Sequence, residues 1–120
     1  MSRVLVAEDE PMIGRILAEK LTREGHVVTR AATVAGLRAG AVACDVALVD
    51  ATLDEDGIDA MRELAALGGA PVEGWFALVE ARCTGDGERA IAAGAAGVIR
   101  KPFKPTAVAA QVAALTSLPR

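Results

Sequence analysis

The residues best placed for chemistry are acids and a lysine that directly follow short apolar runs. Val4-Leu5-Val6-Ala7 leads into Glu8-Asp9, Val46-Ala47-Leu48-Val49 into Asp50, and Val98-Ile99 through Arg100 into Lys101-Pro102. Each run reads as a buried strand. If the first and third strands are neighbours, three carboxylates meet in one small space. Two like charges 4 Å apart repel by about 4 kcal/mol at an effective dielectric of 20. A hard divalent cation with oxygen ligands, helped by a lysine, is the direct remedy. Mg²⁺ suits such a site best, because it takes few carboxylates and keeps several waters, and Mn²⁺ can stand in for it.

A site of this kind supports phosphoryl chemistry. The cation neutralises charge on phosphoryl oxygens, and a carboxylate can act as the nucleophile that forms an acyl phosphate. Asp50, held at the end of a rigid strand, is the expected phosphoacceptor. Glu8, Asp9 and Asp50 are the expected metal carboxylates, with Asp9 favoured over Glu8 for direct ligation. The backbone carbonyl of Thr52 is placed to add a further ligand, and Lys101 to pair with phosphoryl oxygens. Each part alone has an ordinary reading. Acids after a strand favour the start of the next helix, a single Asp can be a turn residue, and Lys-Pro can be a loop. The combination, at three different strand ends, is far more specific.

The elements that must position these residues alternate along the chain. Pro11 suits the first turn of a helix with Ile13, Ile16, Leu17 and Leu21 on its apolar face, stopped at Gly25. Val27-Val28 is the core of a second strand. Thr33 caps a helix carrying Val34, Leu37 and Ala41. After Asp50, a polar loop from Thr52 to Gly57 leads to a helix with Ile58, Met61, Leu64 and Ala65, broken by Gly68-Gly69 and Pro71. Trp75 to Val79 reads as a fourth strand, Asp86 to Ala93 as a weaker helix stopped by Gly94. Pro105 opens a last helix with Val108, Val112, Leu115 and Leu118 on one face. Strand and helix alternate five times, which predicts a parallel sheet covered by helices on both faces. Sites in such sheets lie beyond the carboxyl ends of the strands.

Composition narrows the function classes. A chain of 120 residues that is 52% hydrophobic fits one folded domain, residues 1–120, rather than a disordered segment. The net charge of -3 gives no reason to expect direct nucleic-acid binding. No apolar run is long enough to cross a bilayer and no export signal is read, so a cytoplasmic location and reduced thiols are expected. Cys44 and Cys83 have no metal or redox spacing and read as small core or boundary residues. His26 is the single histidine, which leaves no His/Cys metal cluster and little scope for a Ser-His-Asp triad.

Three stretches carry a family resemblance: Val4-Leu5-Val6-Ala7-Glu8-Asp9-Glu10, Asp45-Val46-Ala47-Leu48-Val49-Asp50, and Gly94-Ala95-Ala96-Gly97-Val98-Ile99-Arg100-Lys101-Pro102-Phe103. With them the chain resembles, over nearly its whole length, the receiver domain of bacterial two-component response regulators. The resemblance implies a flavodoxin-like (CheY-like) three-layer α/β sandwich, with five strands in order 2-1-3-4-5 and five helices. It implies Asp50 as phosphoacceptor, Glu8 and Asp9 as the acidic metal pair, Lys101 as the phosphate-binding lysine, and a cis peptide before Pro102. The implied donor is a histidine kinase or histidine phosphotransfer protein. The implied activity is autocatalysed phosphorylation and dephosphorylation, without free-standing enzyme turnover. The implied output is a downstream protein target or a fused output domain. Helix four, strand five and helix five are the implied partner surface, including for a homodimer.

Two departures from the family pattern stand out. The Thr or Ser usual at the end of strand four is replaced within Leu78-Val79-Glu80-Ala81; the slot holds Val79 or Glu80, and the small Ala81 that follows favours Glu80. The strand-five aromatic is replaced by Val98. The Asp50 loop also lacks its usual proline, reading Leu53-Asp54-Glu55-Asp56-Gly57. A Glu80 carboxylate could repel a phosphoryl group, pair with Lys101 in its place, or face solvent, and these readings stay open. The alternative function is a phosphorylation-independent interaction module. A phosphatase using Asp50 would want a second acid two residues on, where Thr52 stands. A flavin carrier would want a phosphate-cradling first loop, where Glu8-Asp9-Glu10-Pro11 presents charge of the wrong sign.

Overall fold

Continuous apolar runs can be buried on both faces only inside a parallel sheet covered by helices, and that is what they form. The computed structural model describes residues 1–83 and 85–117. Its strands are β1 (Arg3–Ala7), β2 (Val27–Ala31), β3 (Val46–Asp50), β4 (Gly74–Glu80) and β5 (Gly97–Lys101). They build one parallel sheet in the order β2-β1-β3-β4-β5. The helices are α1 (Pro11–Arg23), α2 (Val34–Ala41), α3 (Gly57–Ala66), α4 (Asp86–Ala92) and α5 (Pro105–Thr116).

Alternation along the strands sorts the core into two layers. Val4, Val6, Val46, Leu48, Phe76, Leu78 and Ile99 pack against Leu17 and Leu21 of α1 and Val108 and Val112 of α5. Leu5, Ala7, Ala47, Val49, Trp75, Ala77 and Val79 face the other way, onto Val34 and Leu37 of α2, Ile58, Met61 and Leu64 of α3, and Ala90 of α4. Thr33 caps α2 as expected, its side chain accepting from the Gly36 N–H.

Several residues sit differently from the sequence reading. Ile16 is 41% exposed, because α1 turns Gly14, Leu17 and Leu21 toward the sheet and Ile16 falls off that face. Ala65 lies on the outer face of α3. Val27, read with Val28 as the core of the second strand, is 53% exposed, since it begins β2, which lies at the edge of the sheet as the expected strand order has it. Cys44 is buried, but Cys83 is exposed in the connection between β4 and α4. Leu118 lies outside the described residues.

One glycine ties fold to site. A Cβ on Gly57, the first residue of α3, would run into the carbonyl oxygen of Asp50. The chain must therefore fold back tightly onto the end of β3, and only glycine leaves the room. Gly57→Ala is expected to cost about 1–3 kcal/mol in chemical denaturation. Gly69→Ala, whose Cβ meets Leu64 and Val42 at ordinary distances of 3.4 Å and more, is expected to be neutral or stabilising by under about 1 kcal/mol. Equal stability of the two variants would show that this close approach does not constrain the fold.

Candidate functional site

Strand register brings the predicted acids together. Ala7 pairs with Val49, so Glu8 and Asp50 leave neighbouring strands at the same level. Both are buried, at 3% and 5% exposure, and they are the buried charged residues among those described. Lys101 ends β5 and reaches back over the end of β4. Its Nζ lies 2.7 Å from Asp50 Oδ2 and 3.0 Å from Glu8 Oε2. Two buried carboxylates side by side are tolerable only with such a partner, because an unpaired buried charge costs several kcal/mol.

Asp9 is exposed beside them, and one oxygen from each of Glu8, Asp9 and Asp50 lies within 4.8 Å of the others. Glu8 Oε2 is buried and makes no hydrogen bond, although it sits at ion-pair distance from Lys101. A buried acceptor left this way is costly, and an oxygen-seeking cation is the group that would satisfy it. The donors are all hard oxygens, which fits Mg²⁺ or Mn²⁺.

The same crowding sets the protonation of the site. Burial pushes the Glu8 carboxyl up to about 8; the neighbouring Asp50 carboxylate pushes the same way, while Lys101 and the Glu10 N–H oppose. Burial works against the Lys101 ammonium, but Asp50 and Glu8 outweigh it and hold that group above its ordinary value.

The loop after Asp50 is held by its own acids. The Thr52 N–H donates to Asp50 Oδ1 at 2.9 Å, and Thr52 bridges back to Asp56. Asp56 caps α3 by accepting from the Asp59 N–H at 2.9 Å. Asp54 accepts from the N–H of Val34 at 2.8 Å, and so also secures the start of α2.

Of the two candidates for the strand-four slot, Val79 is packed in the core, and Glu80 ends β4 in register with Lys101. Glu80 Oε1 lies 4.0 Å from Lys101 Nζ, with its side chain 58% exposed. Val98 is half-buried against the α2–α4 layer. The peptide between Lys101 and Pro102 is cis.

Sequence reasoning missed a second charged cluster. Arg89 of α4 donates to Asp56 at 2.8 Å and Asp86 at 3.0 Å, and lies 3.4 Å from Asp59. The spacing of Asp86 and Arg89 was visible as a helical pair. The link to Asp56, 33 residues away, carries no local signal.

A pH dependence of stability follows from Glu8. Between its ordinary value near 4.5 and its folded value near 8, the folded chain holds a proton that the unfolded chain has released. Raising the pH through that window therefore favours unfolding of the metal-free protein. Urea titrations from pH 5 to 9 should show this loss, and Glu8→Gln should flatten it. An unchanged slope in Glu8→Gln would assign the loss to another group.

The comparisons with known proteins agree with this architecture. The family model of the response regulator receiver domain matches residues 4–113. The transcriptional regulatory protein KdpE of Mycobacterium tuberculosis (strain ATCC 25618 / H37Rv) is 41% identical over 106 residues, 86% of this chain and 46% of that protein. The chain thus spans about half the length of the curated relatives it matches. Among solved structures, the Francisella response regulator 1452 receiver domain is 21% identical, with 96% of each chain covered and a TM-score of 0.85. The BeF3-activated DrrB receiver domain is 23% identical, with 98% and 99% covered and a TM-score of 0.85. The receiver domain of NtrX from Brucella abortus is 24% identical, with 96% and 99% covered and a TM-score of 0.82. At these identities the structural likeness speaks for the flavodoxin-like fold alone. With the family model matched across residues 4–113, this chain belongs to the response regulator receiver domain family.

Proposed function

We propose that this chain is a phosphoacceptor of a two-component phosphorelay, modified on Asp50 with the help of Mg²⁺ and signalling through altered protein contacts. The observation that carries the reading is the Lys101 ammonium, 2.7 Å from Asp50 and 3.0 Å from Glu8, beside carboxylate oxygens gathered within 4.8 Å. Glu8, Asp9, Asp50 and the Thr52 carbonyl would hold the cation, which supplies charge neutralisation on the phosphoryl oxygens. An Asp50 oxygen gives an electron pair to phosphorus as the phosphorus–nitrogen bond of a phosphorylated histidine breaks. The pair leaves with the donor imidazole nitrogen. Lys101 already pairs with Asp50 and is placed to hold the new phosphoryl charge. Water attack on phosphorus then releases inorganic phosphate and restores the carboxylate. The chain on this reading promotes its own phosphorylation and hydrolysis and turns over no separate substrate.

The donor is a histidine kinase or a histidine phosphotransfer protein. The receiver of the signal is a downstream protein or a fused output domain, and α4, β5 and α5 are the expected contact face. A cytoplasmic location goes with such a relay; among the described residues no helix is long and apolar enough to cross a membrane.

Glu80 favours a second reading, a phosphorylation-independent module in which its carboxylate takes the phosphoryl group's place on Lys101. Magnitudes decide against it. A pair at 4.0 Å with one partner 58% exposed is worth under about 1 kcal/mol, while the closer buried contacts to Asp50 and Glu8 hold the lysine. Glu80 then acts mainly as a negative charge at the rim.

A small-molecule phosphodonor with Mg²⁺ should add one phosphoryl group by intact mass spectrometry, and Asp50→Asn or chelation should abolish it. Equal labelling of Asp50→Asn would remove Asp50 as the acceptor. Glu80→Thr should label faster by about threefold to tenfold, since it removes a repelling charge. An unchanged rate would leave Glu80 a solvated surface residue.

A further inference from the structure

We infer that Arg89 is a positioning residue for the phosphoacceptor loop and that, through the same contacts, it couples that loop to α4. This rests on the reading that Asp50 and its neighbours bind Mg²⁺ and accept a phosphoryl group. Side-chain hydrogen bonds and one backbone pairing connect the two elements. Asp50 Oδ1 accepts from the Thr52 N–H at 2.9 Å, and Thr52 lies opposite Asp56 in an antiparallel β-bridge closed by its neighbours, Leu53 N–H to the Glu55 carbonyl at 3.0 Å and Gly57 N–H to the Ala51 carbonyl at 2.9 Å. Asp56 uses Oδ1 to cap α3 and Oδ2 to accept from Arg89 Nη2 at 2.8 Å. Arg89 Nη1 then donates to Asp86, the first residue of α4, at 3.0 Å.

A single exposed ion pair would carry little. Here one planar guanidinium spans carboxylates on two helices, which a point charge cannot do as well. Asp59 is also held by Arg62 at 2.7 Å, so the distinctive hold of Arg89 is on Asp56. The Asp56 carboxyl reflects it: burial works against the charge, yet the Asp59 N–H and Arg89 keep the acid below its ordinary value. Without Arg89, Asp54, Glu55, Asp56 and Asp59 crowd one loop and helix start with less positive charge between them. The Thr52 bridge to Asp56 then loosens, and with it the backbone that orients Asp50. Because coupling is reciprocal, whatever tightens the loop at Asp50 also tightens α4.

The test is Mg²⁺ titration by calorimetry of the parent chain, Arg89→Ala, Arg89→Lys, Asp56→Asn and the Arg89→Ala/Asp56→Asn pair. Amide exchange over residues 86–92 is followed in parallel, with and without Mg²⁺ and a phosphodonor. Arg89→Ala should weaken Mg²⁺ binding about fivefold or more, Arg89→Lys should recover part of it, and the double variant should be no worse than Asp56→Asn alone. Slowing of exchange in α4 on phosphorylation should appear in the parent and vanish in Arg89→Ala. Mg²⁺ affinity of Arg89→Ala within about twofold of the parent, or simple addition of the two single effects, overturns the inference. Asp50→Asn separates the two levels: if it labels like the parent, the phosphoacceptor reading itself fails. If it does not label and Arg89→Ala behaves like the parent, only the role of Arg89 fails.

Discussion

One ammonium group between two buried carboxylates sets the terms for this molecule. Glu8 and Asp50 leave adjacent strands at the same level, and neither is open to water. Their mutual repulsion in a low-dielectric setting has to be met by a cation fixed in place. Lys101 can do this only if β5 ends at the same edge of the sheet, with β4 between it and β3, so that the side chain reaches back from the level of Glu80 to that of Leu78, the partner of Asp50. The register that sets Glu80 level with Lys101, and turns Glu80 largely outward, provides that passage. Strand order and register are thus tied to one electrostatic arrangement. The raised pKa of Glu8 and the unbonded Glu8 Oε2 show that the lysine alone does not fully settle it.

Much of this was readable from residue order. Val4–Ala7 and Val46–Val49 are apolar without interruption because both faces of β1 and β3 are covered, and acids at their ends could only be neighbours if the sheet was parallel. What sequence did not reveal follows from side-chain direction and long-range packing. Ile16 keeps helical spacing with other apolar residues, yet the rotation of α1 is fixed by Leu17 and Leu21, and Ile16 is left outside. The choice between Val79 and Glu80 turned on a one-residue shift, which reverses the face of a strand residue; only the register decides it. Arg89 joins residues far apart in the chain, and no periodicity announces such a contact.

Membership of the receiver family and departure from its usual residues coexist here without conflict. The family pattern resides in the strand ends, which this chain retains at Glu8, Asp9, Asp50 and Lys101. The departures lie at the end of β4, at Glu80, and near the start of β5, at Val98, and neither disturbs the core: Val98 still packs against the α2–α4 layer. The fold and the cluster at the strand ends are therefore separable from the residues found at Glu80 and Val98. In this chain Asp56, at the cap of α3, is joined to α4 through Arg89, a contact that involves neither β4 nor β5.

Asp54 adds a consequence of its own. Its carboxylate accepts from Val34 at the start of α2, although it belongs to the loop that follows β3. The short stretch between Asp50 and Gly57 is thus anchored at both ends and in the middle, to a strand, a helix and a second helix at once. Most surface loops tolerate added residues at small cost. This one has no slack to absorb them, so its length should be among the least variable features as such sequences diverge, even where its amino acids change.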